Sequence, residues 1–170
     1  MVRSDALRNR EKILAAARAA FAEAGEPISM AELARRAGVG MATVYRNFPS
    51  RQDVLEALFA DEVDALIAAA EDMTLLPWLR RLFAFLQSKR PIGAELLDTA
   101  DGFSVLEGGR ARVVAAAEPL VAAARASGEI RADLTLEQIL DLVKAVARVP
   151  GDPAYVAPIL EATLDWLRPR

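Results

Sequence analysis

The segment MATVYRNFPSR, residues 41–51, holds an arginine, an asparagine, a threonine and a tyrosine within five positions, followed by a proline, a serine and Arg51. On a helix, Ala42, Thr43, Arg46 and Asn47 would face outward, with Met41 and Tyr45 at the edges. The chemistry open to such a surface is recognition rather than catalysis. Short polar groups beside one guanidinium fit the major groove of a duplex, where base edges present donors and acceptors.

Catalytic alternatives are short of parts. The chain has no cysteine and no histidine. Disulfides, thiolate or imidazole metal sites, cysteine nucleophiles and histidine-based dyads are therefore excluded. No glycine-rich phosphate loop is present. The expectation is no catalytic residue, no metal and no cofactor. A second cluster points to a ligand: Trp78, Leu82, Phe83, Phe85, Leu86 and Phe103 lie near Glu95, Asp98, Thr99 and Asp101. A mostly apolar set with a few polar groups has the composition of a small-molecule pocket. For any single member, ordinary core packing is the better account. Trp78, Leu82, Phe83, Leu86, Asp98 and Phe103 are the candidate ligand-binding residues.

The elements that must position these groups are helices. Hydrophobic residues make up 54% of the 170-residue chain and aromatics 6%, a balance that favours alanine- and leucine-rich helices over sheets. The fold class is all-α. A first helix is expected over residues 6–24 from the spacing of Leu7, Leu14, Ala17 and Phe21, stopped by Gly25 and Pro27. Ser29 and Glu32 have capping-box spacing, with Ile28 and Leu33 placed as a hydrophobic staple. Gly38 ends this short second helix and Gly40 starts a third, over 41–47. Ala34 is small enough for a close crossing, and Val44 plugs it. Pro49 breaks the third helix, and Ser50 with Asp53 opens a linking helix over about 50–70.

Two short helices joined by a glycine turn and packed on a longer one form a helix-turn-helix. The other reading, one more helical hairpin in a bundle, leaves the clustering of Tyr45, Arg46, Asn47 and Arg51 to coincidence. It also leaves the charge distribution unexplained. Residues 1–51 carry a net charge of +4 and the remainder −7, so a polyanion is drawn to one end and repelled by the other.

Residues 8–58 resemble the TetR family of bacterial transcriptional regulators, most closely in LARRAGVGMATVYRNFPSRQDVL. The resemblance implies that Ser29, Tyr45 and Arg51 hold phosphates, and that Met41, Ala42, Thr43, Arg46 and Asn47 face bases or their flanking phosphates. Gly40 and Met41 depart from the family pattern, where serine and lysine are common. Farther along, LPWLRRLFAFLQSKRPIGAELL and ASGEIRADLTLEQILDLVKAV resemble regulatory domains of family members. A homodimeric repressor is implied, released from a palindromic operator by an unidentified small-molecule effector. The alternative is a helical small-molecule-binding protein or enzyme that keeps the fold without operator binding.

The expected organisation is a helix-turn-helix domain over 1–49 and a helical regulatory and dimerisation domain over 50–170. Further helices fall near 75–89, 91–101, 107–127, 136–148 and 153–168, with Pro119 expected to kink or split the third of these. The apolar pattern of the last two helices fits an ordinary core hairpin or, as the resemblance favours, a dimer interface at Ile139, Val143, Val146, Tyr155, Ile159, Leu160, Thr163, Leu164 and Leu167. No run of about 18 uncharged apolar residues exists to span a membrane, and the N-terminus lacks the apolar core of a signal peptide. A cytoplasmic location is expected.

Overall fold

The computed structural model describes residues 2–24, 29–88, 90–97, 99 and 101–169. Among them are nine helices and no strand: α1 (Val2–Ala24), α2 (Met30–Ala37), α3 (Met41–Asn47), α4 (Arg51–Asp72), α5 (Leu75–Ser88), α6 (Arg90–Leu97), α7 (Gly102–Ala126), α8 (Leu136–Ala147) and α9 (Pro153–Trp166). The chain divides into two compact units, residues 1–61 with 91–106, and residues 62–90 with 107–170. The first unit ends within α4, at residue 61, and takes in residues 91–106.

In the first unit, α1, α2 and α3 pack pairwise. Ile13, Leu14, Ala17 and Ala20 form the inner stripe of α1, against a core that includes Leu33, Val44, Phe48, Leu55 and Leu58. Leu7, expected on that stripe, is 60% exposed. The turn between α6 and α7 requires glycine for space: a Cβ on Gly102 would lie 1.7 Å from the Leu96 carbonyl oxygen.

In the second unit, α5 packs on α8 and α8 on α9. The Thr135–Gln138 capping box starts α8: Thr135 Oγ1 accepts from Gln138 N–H at 3.2 Å, and Gln138 Oε1 accepts from Thr135 N–H at 2.8 Å. Asp152 caps α9 at Tyr155 N–H, 2.9 Å, with Pro153 in the first turn where its missing donor costs nothing.

Glycine and proline leave α7 in one piece. α7 begins five residues earlier than expected and runs through Gly108 and Gly109. It also continues unbroken through Pro119. The carbonyl that loses its partner to Pro119 belongs to Ala115, an exposed residue that water can reach. The same holds for Pro158 in α9, whose would-be acceptor is on exposed Ala154.

Candidate nucleic-acid interface

The interface is built from the turn outward. Gly38 adopts φ +66°, ψ 35°, and its N–H closes the end of α2 on the carbonyls of Ala34 and Arg35. A Cβ there would meet nothing within 4 Å, so the demand for glycine is conformational, not steric. Val39 N–H returns to Ala34 O at 3.1 Å. Gly40 then caps α3 through its carbonyl alone, accepting from Thr43 and Val44 N–H at 2.8 and 3.1 Å, with no side-chain cap.

α3 is seated by two buried side chains, Val44 at 0% and Phe48 at 1% exposure. The guanidinium of Arg10 on α1 stacks over the Phe48 ring, 4.6 Å from its centroid. With that face fixed, the remaining side chains divide. Met41, Ala42, Tyr45 and Arg46 are exposed, and Thr43 is half-buried. Arg46 rests its Nε–H on the Ala42 carbonyl at 3.2 Å, an exposed bond that a base or phosphate can replace at little net cost.

Asn47, expected to point outward, is half-buried and donates to the Thr43 carbonyl at 2.8 Å. It borders a cleft with Arg10, Phe48, Pro49, Asp53 and Glu56 on the flank of α3. The reason is angular: Asn47 lies one position before buried Phe48 and three after buried Val44, which turns it toward the packed side.

Ser29 and Arg51 flank this face. Ser29 Oγ accepts from Glu32 N–H at 3.2 Å, leaving its own O–H hydrogen to donate. The return half of the expected Ser29–Glu32 box is replaced. Glu32 accepts from Arg35 Nε and Nη2 at 2.7 and 2.6 Å and from Arg36 Nε at 2.7 Å. These bonds, Arg35 first and Arg36 second, lower the Glu32 pKa to about 2. Ile28, the other half of the expected staple, lies outside the described residues. In this unit a reciprocal box forms at the start of α4 instead. Asp53 N–H donates to Ser50 Oγ at 3.2 Å, while Ser50 N–H and O–H donate to Asp53 Oδ2 at 2.7 and 2.6 Å. That box fixes the start of α4 and half-buried Arg51 with it.

Residues 13–58 match the family described as bacterial regulatory proteins, tetR family, and residues 70–169 match the C-terminal domain of SbtR-like transcriptional regulators. The chain belongs to the TetR family. Its members are helix-turn-helix regulators that bind DNA, and this TetR-family chain is similar over nearly its whole length to two solved ones. A TetR transcriptional regulator of Streptomyces coelicolor is 31% identical, with a TM-score of 0.73 over 94% of this chain and 98% of that one. A TetR transcription regulatory protein of Mycobacterium vanbaalenii is 29% identical, with a TM-score of 0.75 over 99% and 100%. Helix-turn-helix transcriptional regulators of Staphylococcus aureus are 37% identical over 67 residues, which span 39% of this chain and 36% of theirs.

The other expected sites fare unequally. Trp78 is fully buried and donates Nε1–H to the Leu66 carbonyl at 3.0 Å, pinning α5 to α4 within the second unit. Leu82 is also core, whereas Phe83 and Leu86 are half-buried. Phe103, in the first unit, is 68% exposed, and Asp98 lies outside the described residues.

Most of the residues expected at an interface on α8 and α9 pack within the single chain. Ile139, Val143, Val146, Leu160, Leu164 and Leu167 are buried in the chain's own core. Only Tyr155, Ile159 and Thr163 keep surface. Apolar spacing identified the buried face of this helical pair. The sequence reading did not single out Arg10, which stacks on the Phe48 ring, or Arg35 and Arg36, which bond to Glu32. For the latter two a signal existed: they stand three and four positions after Glu32, the spacing of helical ion pairs.

Proposed function

We propose that this TetR-family chain is a homodimeric repressor that binds a palindromic operator through α3 and is released by a small-molecule effector. The observation that carries the operator half is the division of α3 into a face locked by Val44 and Phe48 and a face presenting Ala42, Thr43, Tyr45 and Arg46. Ser29, Tyr45 and Arg51 are assigned to phosphates, which position without specifying sequence. Arg46 is assigned to a guanine edge, and Met41 to a thymine methyl.

Dimerisation is assigned to the outer face of α9. Tyr155 (62% exposed), Ile159, Ala162 and Trp166 (42% exposed) follow one another at spacings of four, three and four, an apolar stripe with large side chains at both ends. A symmetric dimer is what two recognition helices need to bind half-sites centred about 34–36 Å apart or a multiple of that. The effector is assigned to the surface of α5 in the second unit, with Phe83 and Leu86 as the available apolar surface and Trp78 as a packing anchor.

The test is Arg46→Ala on matched and mismatched duplexes. Preference at one base pair should relax by roughly 1–3 kcal/mol while other positions keep theirs. An equal loss on matched and mismatched sites would reassign Arg46 to a phosphate.

A further inference from the structure

α2 carries a charge cluster that the operator contacts above leave unused. Ser29, Glu32 and Arg36 are spaced three and four apart, and Arg35 lies beside them. Leu33 and Ala34 are buried on the opposite side of this helix. The stripe that starts at Ser29 therefore continues into one carboxylate and two guanidinium groups. Both guanidiniums are turned onto the carboxylate: Arg35 as a two-point fork, Nε at 2.7 Å and Nη2 at 2.6 Å, and Arg36 through Nε at 2.7 Å. Arg35 is nonetheless open to solvent, with its side chain 72% exposed.

We propose that Glu32 is a specificity-determining residue: it holds Arg35 and Arg36 on the protein so that they do not strengthen sequence-independent binding to DNA phosphates. This deepens the operator-binding reading and rests on it.

The physical reasoning concerns a ratio. On random duplex, where binding is almost wholly electrostatic and no base contact fixes the register, a released cation settles on whichever phosphate it reaches; in the operator complex the base contacts of α3 set the register, so the gain there is smaller. Each such contact steepens the dependence of log K on log salt by about 0.9, which near 0.15 M salt corresponds to about five-fold in affinity. A regulator must find its operator among a large excess of other sites, so the ratio of specific to non-specific affinity matters more than either value. Glu32 reduces the cluster from two net positive charges to one. It also engages the fork geometry by which arginine would otherwise grip a phosphate.

Anisotropy titrations of the full chain over a salt series test this, using the chain's own upstream duplex and a random-sequence duplex. The proteins are wild type, Glu32→Gln, Arg35→Ala and the double variant. Glu32→Gln should bind random duplex about five-fold more tightly near 0.15 M salt, or more if both arginines engage. Its salt slope should steepen by about 1 per arginine released, and its specific-to-random ratio should fall. Arg35→Ala alone should change random-duplex affinity less than about two-fold, yet remove most of the gain when added to Glu32→Gln.

The double variant lacks the same carboxylate as the single one. A gain that disappears with Arg35 therefore belongs to the guanidinium and not to a loosened α2. Unchanged or weakened random-duplex binding in Glu32→Gln overturns the proposal, because Glu32 would then be neutral or would aim the arginines at the DNA. A gain that persists without Arg35 and without a steeper slope overturns it too. A wild type that shows no preference for its own upstream duplex is a different failure, that of operator binding itself.

Discussion

Shortening Val44 to alanine separates the two faces of α3. Val44 is fully buried between α3 and its neighbours, and the change deletes two methyl groups from that contact. Transfer alone accounts for about 1.6 kcal/mol at 0.8 per buried carbon. The cavity left behind raises the cost to about 2–3 kcal/mol. For a chain of this size each kcal/mol moves the melting temperature by about 2–4 °C, so Val44→Ala should melt about 5–10 °C lower by circular dichroism. Its neighbour Tyr45 is 48% exposed. Tyr45→Phe should stay within about 0.5 kcal/mol of wild type in the same melt. A hydroxyl bonded to a charged phosphate contributes about 1.5 kcal/mol or more, so Tyr45→Phe should lose about ten-fold in affinity for all duplexes alike. An unchanged melt for Val44→Ala would refute the seating of α3. So would a Tyr45→Phe protein that is destabilised by 2 kcal/mol yet binds DNA normally.

Three further outcomes are expected. Tyr155→Glu with Ile159→Glu should sediment as a folded monomer where wild type is a dimer, because both positions keep surface in the single chain; a persistent dimer moves the interface off α9. Since hydrogen bonds from Arg35 and then Arg36 lower the Glu32 pKa to about 2 against 4.5 unperturbed, its contribution to stability is present above pH 4.5 and lost as pH falls toward 2. The stability difference between wild type and Glu32→Gln should hold constant above pH 4.5 and shrink below it, and a difference that grows on acidification contradicts the assignment. In a Trp166→Phe protein, Trp78 emission reports the α4–α5 contact through its bond to Leu66. Effector binding that releases DNA should shift that emission; flat emission together with an unaltered effector affinity in Phe83→Ala places the effector elsewhere.

The DNA-binding end was legible because its signals are local. Gly38 needs a left-handed turn, Ser29 caps within one turn of itself, and Val44 and Phe48 are four apart, so neighbouring residues settle each feature. Even there, two capping signals of equal spacing resolved differently. Glu32 had arginines three and four positions on that outbid the Ser29 backbone for its carboxylate, whereas Asp53 was left to complete its box with Ser50. The C-terminal half was less legible because periodicity shows that a face is buried and not against what. Leu160 and Leu164 face the chain's own core, and Tyr155, Ile159, Ala162 and Trp166 stand on the other side of the same helix. That Pro119 does not split its helix has a related reason. Pro119 ends a helix only where its orphaned carbonyl cannot be solvated, and exposure at Ala115 is a tertiary property.

The most direct test of the account is a quantitative footprint of the full chain on its own upstream DNA, with a random duplex as competitor. Specific binding about 10³-fold or more tighter than to the competitor is expected. Protection should cover two symmetric half-sites centred 34–36 Å apart or a multiple of that, and affinity should fall steeply with salt. Equal affinity for both duplexes, or protection of a single unpaired half-site, would contradict it.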